Sequence, residues 1–198
     1  GPVYYIRDRK LYIDKAFYNL NDTICDGTVF QSHWSRQKNI YLGMKKNQFE
    51  TTILNAPNSN IFNRSDKKSF NKNEKIKLIA TSWSSNIKKG FEVYKWMDEN
   101  LDFTKYKMTF VGNSPFKFKN IILKEPMDSE ILASELKKHD IFVTASQSDP
   151  CSNSLIEAMH CGLPALGLDD GGHTEIIAHG AEVFKTSSEI PQKLDLIA

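Results

Sequence analysis

From residue 76 onward, short apolar and β-branched runs alternate with segments whose apolar positions recur every three or four residues. Ile76 to Thr81 predicts a buried strand, and Lys89 to Asn100 a helix with Phe91, Tyr94 and Met97 on one face. Lys107 to Val111 predicts the next strand, ended by the turn Gly112-Asn113-Ser114-Pro115, and Asn120 to Leu123 a short one. Asp128 or Ser129 caps a predicted helix running to Lys138, with Glu130 in its first turn and lysines in its last, the charge order a helix dipole favours. Asp140 to Ala145 predicts a strand and Asn153 to Cys161 a helix, which Gly162-Leu163-Pro164 stops. A strand over Ala165 to Leu168, a short helix over Thr174 to His179 and a last strand over Glu182 to Phe184 follow. Strands alternating with helices specify an α/β fold: a Rossmann-like parallel sheet with right-handed crossovers and helices on both faces.

The first 65 residues are patterned differently. Asp14 to Leu20 predicts a helix, Gly27 to Gln31 a strand, Ser32 to Leu42 a helix and Thr51 to Leu54 a short strand. One βαβ unit with a preceding helix is too little for a Rossmann domain of its own. Asn55 to Lys75, rich in Asn, Ser, Asp and Lys, predicts a linker or hinge. The expected division is a partial α/β unit with the hinge over 1–65 and a sheet domain over 66–198.

Composition narrows the function. The 198 residues are 40% apolar, enough for a substantial core, and 26 basic against 24 acidic residues leave a formal charge of +2. That balance argues against a nucleic-acid binder with a broad basic surface. Lys67, Lys68, Lys72, Lys75 and Lys77 form a local basic group, which a solvated hinge explains most simply. Cys25, Cys151 and Cys161 are odd in number and lack CxxC spacing, which disfavours a disulfide framework or zinc site and fits a reducing cytoplasm. No run approaches the roughly 18 apolar residues of a membrane span, and the start lacks the apolar core of a signal peptide. Gly1-Pro2 reads equally as native sequence or a protease remnant.

Candidate chemistry gathers in three places. Asp149 precedes a predicted helix and Glu157 lies one turn into it, so both carboxylates can face the crevice above the strand ends, beside a helix N-terminus with unpaired N–H groups. The same spacing arises from a turn cap and a surface helix residue, and alone it decides nothing. Ser82 to Gly90 (SWSSNIKKG) fills the first strand-to-helix loop, where Ser84, Ser85 and Asn86 offer donors and Lys88 or Lys89 a cation for a diphosphate. It is not a Walker loop, and an ordinary capped loop reads as well. The turn Asp169-Asp170-Gly171-Gly172-His173-Thr174-Glu175 has two glycines permitting close backbone approach or positive φ, and Thr174 or His173 to start a helix. His173, like His33, His139, His160 and His179, has no partner at metal-ligand or triad spacing, and no GxSxG elbow occurs.

Taken in order, these signals resemble the C-terminal, donor-binding domain of GT-B glycosyltransferases of family 4, the group 1 family. That family carries E-x7-E, then A-x-x-C-G-x-P, then a Gly-Gly-x-x-Glu turn. Here they stand as Asp149-x7-Glu157, Ala158-Met159-His160-Cys161-Gly162-Leu163-Pro164 and Gly171-Gly172-His173-Thr174-Glu175, with Lys89-Gly90 matching the family's phosphate loop. CDGTVFQSHWSRQ resembles the last strand and helix of the N-terminal domain, so the likeness covers nearly the whole chain.

The resemblance implies a retaining transferase that moves a sugar from a UDP- or GDP-sugar to a glycan or other hydroxyl, without a bound metal or other cofactor. Glu157 would hold the ribose hydroxyls, Asp149 with Cys151, Ser152 and Asn153 would face the sugar, and Lys89 would neutralise the diphosphate. Ser84, Asn86, Gly90, Gly171, Gly172 and His173 would complete the donor site. Peripheral contact with a membrane is compatible with this reading, and the oligomeric state stays open.

Three departures stand out. Asp149 replaces the family's first Glu and is one methylene shorter; Asp149-Pro150-Cys151-Ser152 replaces E-G-F-G; and Ser84 stands near the place of a phosphate-binding Arg. Most of the acceptor-side domain and the C-terminal cross-over helix are expected to be missing, so the chain would bind donor yet need more to transfer. The alternative is a non-catalytic binding or interaction module with the same fold.

Overall fold

The computed structural model describes residues 11–71, 73–177 and 181–198. Gly1-Pro2, Lys72, His179 and the end of the helix predicted over 174–179 lie outside the described residues. Six strands form one parallel sheet: β3 (Ile76–Ser82), β4 (Tyr106–Gly112), β5 (Ile122–Lys124), β6 (Ile141–Thr144), β7 (Ala165–Leu168) and β8 (Glu182–Phe184). Their order is β5-β4-β3-β6-β7-β8. The earlier β1 (Gly27–Phe30) and β2 (Phe49–Thr52) pair in a separate two-stranded parallel sheet.

Strand alternation divides the core in two, as a sheet covered on both faces requires. Leu78, Ala80, Met108, Phe110, Ile141 and Val143 point to one face. There they meet Phe91, Tyr94 and Met97 of α3 (Phe91–Asn100) and Ile190 and Leu194 of α7 (Ile190–Ile197). Ile79, Val111, Phe142 and Ala165 point to the other face. They pack on α4 (Ser129–Leu136), α5 (Asn153–His160) and Phe62 of the linker. The helix α7 has Pro191 near its start and two fully buried apolar residues, and the sequence reading gave it no element.

Several boundaries move for local reasons. The strand expected from Asn120 starts at Ile122, because the Asp98 carboxylate takes the backbone N–H groups of Lys119, Asn120 and Ile121, each at 2.7 Å. The strand expected over 51–54 is shifted to Phe49–Thr52, with Glu50 anchored by Arg36 and by the N–H of Asn47. The helix expected from Lys89 divides into a 3-10 turn (Ile87–Lys89) and α3, because Gly90 adopts φ +82° between them.

In the amino-terminal part, α1 (Leu11–Thr23) and α2 (His33–Tyr41) flank β1. Residues 53–75 contain no described helix or strand, but they are anchored to the sheet domain. Phe62 is buried, and Lys67 Nζ donates to His139 O at 2.5 Å, with burial pulling the Lys67 pKa down. Lys75 donates to Phe103 O and Lys77 pairs with Glu74. These lysines of the basic group therefore work within the fold. No helix among the described residues is long and apolar enough to cross a membrane.

Gly90 permits only glycine, since a Cβ there would lie 2.2 Å from Ala145 O in a left-handed backbone. Gly90→Ala is expected to destabilise the chain by about 2–4 kcal/mol, read from urea unfolding midpoints at constant m. A change below about 0.5 kcal/mol contradicts the close-approach account.

Candidate functional site

The strand order reverses between β3 and β6, since β4 and β5 extend the sheet to one side and β7 and β8 to the other. The loops leaving these two strands part at their carboxyl ends, and such a switch point is where open α/β sheets hold ligands. Here the two loops are stitched together. Gly90 abuts the Ala145 carbonyl, and Gln147 N donates to Lys88 O at 2.8 Å. That stitching brings Lys89 Nζ to 3.2 Å from Asp149 Oδ2 across 60 residues of sequence.

A third segment fixes the Asp149 loop from beside it. Gly172 N donates to Asp149 O at 2.8 Å, and a Cβ at Gly171 or Gly172 would lie 2.3 Å from the carbonyl oxygen of Asp149 or Pro150 respectively. The glycine pair thus serves backbone-on-backbone packing within the protein. Asp170 accepts from Ser148 N (2.9 Å) and Gly171 N (2.8 Å), so it ties loops together. Ser148 holds φ +53°, an uncommon backbone for a non-glycine residue and a local strain next to Asp149.

His173 is fully buried under this turn, and burial lowers its pKa, leaving the imidazole neutral near pH 7. Its Nδ1 lies 2.9 Å from Leu168 O. A carbonyl only accepts, so Nδ1 carries the proton and Nε2 is left as a buried acceptor without a partner among the described residues. Asp149, Asp170 and Lys89 are the charged groups acting on its ring.

Glu157 stands on the helix that follows the Asp149 loop. It lies on α5, lining a cleft of about 400 Å³ with Asn153, Ser129 and the linker residues Asn55, Pro57 and Asn58. Burial alone pushes its pKa up, and no hydrogen bond or ion pair reaches its carboxyl among the described residues. An ionised carboxylate there is an acceptor awaiting hydroxyl donors.

The remaining expected donor groups serve the loops themselves. Ser84 exchanges hydrogen bonds with Ser82, and its hydroxyl accepts from Asn86 N at 3.1 Å. Asn86 caps the 3-10 turn by accepting from Lys88 N. Cys151 is buried, with its thiol pKa raised by burial, and its Sγ accepts from Asn55 N at 3.5 Å. Asn153 Oδ1 accepts from Asn55 Nδ2 at 2.7 Å, and Ser152 shares a 3.2 Å contact with Ser154. The sequence reading passed over Asn55, and it quoted Glu175 within the glycine-turn motif without giving it a role. Both join the amino-terminal part to this site, and their partners lie about 100 or more positions away, beyond any local pattern. Among the described residues no group of three His, Cys, Asp or Glu side chains is placed to hold a metal ion.

This arrangement belongs to a known architecture. The chain superposes on sucrose-phosphate synthase from Thermosynechococcus elongatus with a TM-score of 0.75 at 16% identity, over 96% of this chain and 52% of that one. It superposes on Anabaena Alr3699/HepE, solved with UDP and glucose, with a TM-score of 0.73 at 16% identity, over 93% and 55%. TarM gives 0.66 at 18% identity, over 93% and 39%. The chain thus spans about half the length of the first two of these structures. A search among curated proteins finds no match. The family model for glycosyl transferases group 1 matches residues 62–195, which takes in Lys89, Asp149, Glu157 and Glu175, and the chain therefore belongs to the group 1 glycosyl transferases.

Proposed function

We propose that this chain carries the donor site of a retaining sugar transferase that uses a UDP- or GDP-sugar and a hydroxyl acceptor such as a glycan. The observation that carries the reading is Glu157: a half-buried carboxyl with no partner among the described residues, in a cleft whose lining residue Asn55 also bonds Cys151 of the Asp149 loop. Two ribose hydroxyls are donors that suit such an acceptor. Lys89 has three N–H donors, so its ammonium can keep Asp149 and still receive a diphosphate oxygen. That HepE, similar in fold, is solved with UDP and with UDP-glucose supports the class of donor.

In this reading the C1–O bond to the diphosphate breaks as the acceptor oxygen bonds to C1 on the same face. The acceptor's proton passes to the departing diphosphate oxygen, so no protein base is assigned. Lys89 and the N–H groups at the start of α5 stabilise the charge that develops on the leaving group. Asp149, Cys151, Ser152 and Asn153 border the space next to the diphosphate and would set the sugar's orientation.

UDP or GDP at about 100 times its Kd is expected to stabilise the chain by about 2.7 kcal/mol. For a chain of this size that is roughly 5–10 °C in Tm by differential scanning fluorimetry, and Lys89→Ala is expected to remove most of the shift. A folded wild-type chain that shifts with neither nucleotide contradicts the proposal.

Glu157 also has a pH signature. Its folded pKa is raised, so the folded state holds that proton more tightly than the unfolded chain, and stability falls as pH rises through the folded value. Glu157→Gln is therefore expected to raise Tm at pH 7 and to lose that advantage below about pH 4, while abolishing the nucleotide shift. A variant less stable than wild type at pH 7 is the contrary result.

A further inference from the structure

We infer that Glu175 is a positioning residue that ties the amino-terminal part to the Asp149 loop and so sets where that loop stands over the sugar. The functional consequence rests on the nucleotide-sugar reading above; the structural one does not. The first turn of any helix has backbone N–H groups without intrahelical partners. In α2, Ser32 Oγ takes the N–H of Ser35 at 3.0 Å. The N–H groups of His33 and Trp34 go to the two oxygens of Glu175, at 2.8 and 2.5 Å, from 142 and 141 residues away. A carboxylate at a helix N-terminus is favourably placed against the helix dipole.

Glu175 is supported by the turn that holds Asp149. It lies on the short helix α6 (His173–Ile176), directly after the glycine pair. Gly172 N donates to Asp149 O, and a Cβ at Gly172 would lie 2.3 Å from Pro150 O and 3.2 Å from Ser32 Cβ. The start of α2, the glycine turn and the Asp149–Pro150 backbone therefore form one stack with no slack. Asn55 makes a second tie to the same loop, through Cys151 and Asn153, and is itself held by Gln31 Nε2 at 3.2 Å. Glu157 projects from α5 and Lys89 from the β3 loop, so the stack reaches the nucleotide groups only through the Lys89–Asp149 pair.

The test is amide hydrogen exchange by NMR on the chain without nucleotide, comparing wild type with Glu175→Ala and Glu175→Gln. Glu175→Ala is expected to speed exchange at His33 and Trp34 at least tenfold and to do the same, with shifted resonances, at the amides of residues 148, 149 and 151–153. Amides of β3 and β6 should stay within about twofold. The Gln side chain keeps one acceptor oxygen, so Glu175→Gln should restore part of the protection at both places, and it carries the test if the Ala variant does not fold. Separately, any loss of UDP affinity in either variant is expected to be smaller than that of Lys89→Ala. Loss confined to His33 and Trp34 overturns the inference, because Glu175 is then a helix cap and nothing more. A uniform rise over all amides overturns it too. Failure of wild type to bind UDP or GDP instead counts against the proposed function and leaves the exchange result standing.

Discussion

The whole site depends on backbone packed against backbone with no room for a Cβ. Gly90 meets the carbonyl of Ala145, and Gly171 and Gly172 meet those of Asp149 and Pro150. These contacts press the β3 loop and the glycine turn onto the segment leaving β6 from its two sides. A larger residue at any of the three would push a loop outward and separate Lys89, Asp149 and His173. The packing is paid for by glycine's conformational entropy and by the strained Ser148, which is the usual exchange at a site that must be rigid.

Rigidity of this kind suits an electrostatic task. A departing diphosphate is stabilised best by groups already in place, because no reorganisation is then needed as charge develops. Lys89 is held by Asp149, while Asp149 is held by the N–H of Cys151 and by the backbone bond from Gly172. Glu157 is the opposite case, since burial raises its pKa and no donor among the described residues compensates. A fold tolerates such a cost where a ligand supplies the missing donors. The buried Nε2 of His173 is a second acceptor with no partner among the described residues, and it feels the charges of Lys89 and Asp149.

Legibility in the sequence followed the range of the interactions. The central strands were readable because burial on both faces leaves continuous apolar runs, as in Ile76–Ser82 and Ile141–Thr144. Glu157 and Lys89-Gly90 were readable from their place in ordered motifs. Their surroundings were not. The 3-10 turn before α3 depends on an approach of Gly90 to Ala145, and the late start of β5 depends on Asp98, 22 residues before Asn120. Glu175 looked like the end of a motif, yet its partners are backbone groups on α2, which no spacing reports. Ser84 and Asn86 had the right residue types for a phosphate loop, and their side-chain oxygens also shape that loop, a role their types alone did not show. The segment over 55–75 read as a hinge from composition, although Phe62 and Lys67 anchor it.

Under the proposed function the chain holds a nucleotide-sugar with Glu157 at the ribose and Lys89 at the diphosphate. Crystals of the chain soaked separately with UDP and GDP test it most directly. For at least one of them, ribose hydroxyls are expected within hydrogen-bond distance of the Glu157 carboxylate and a diphosphate oxygen within reach of Lys89 Nζ. A nucleotide bound elsewhere, or an empty crevice at saturating concentrations of both, contradicts it.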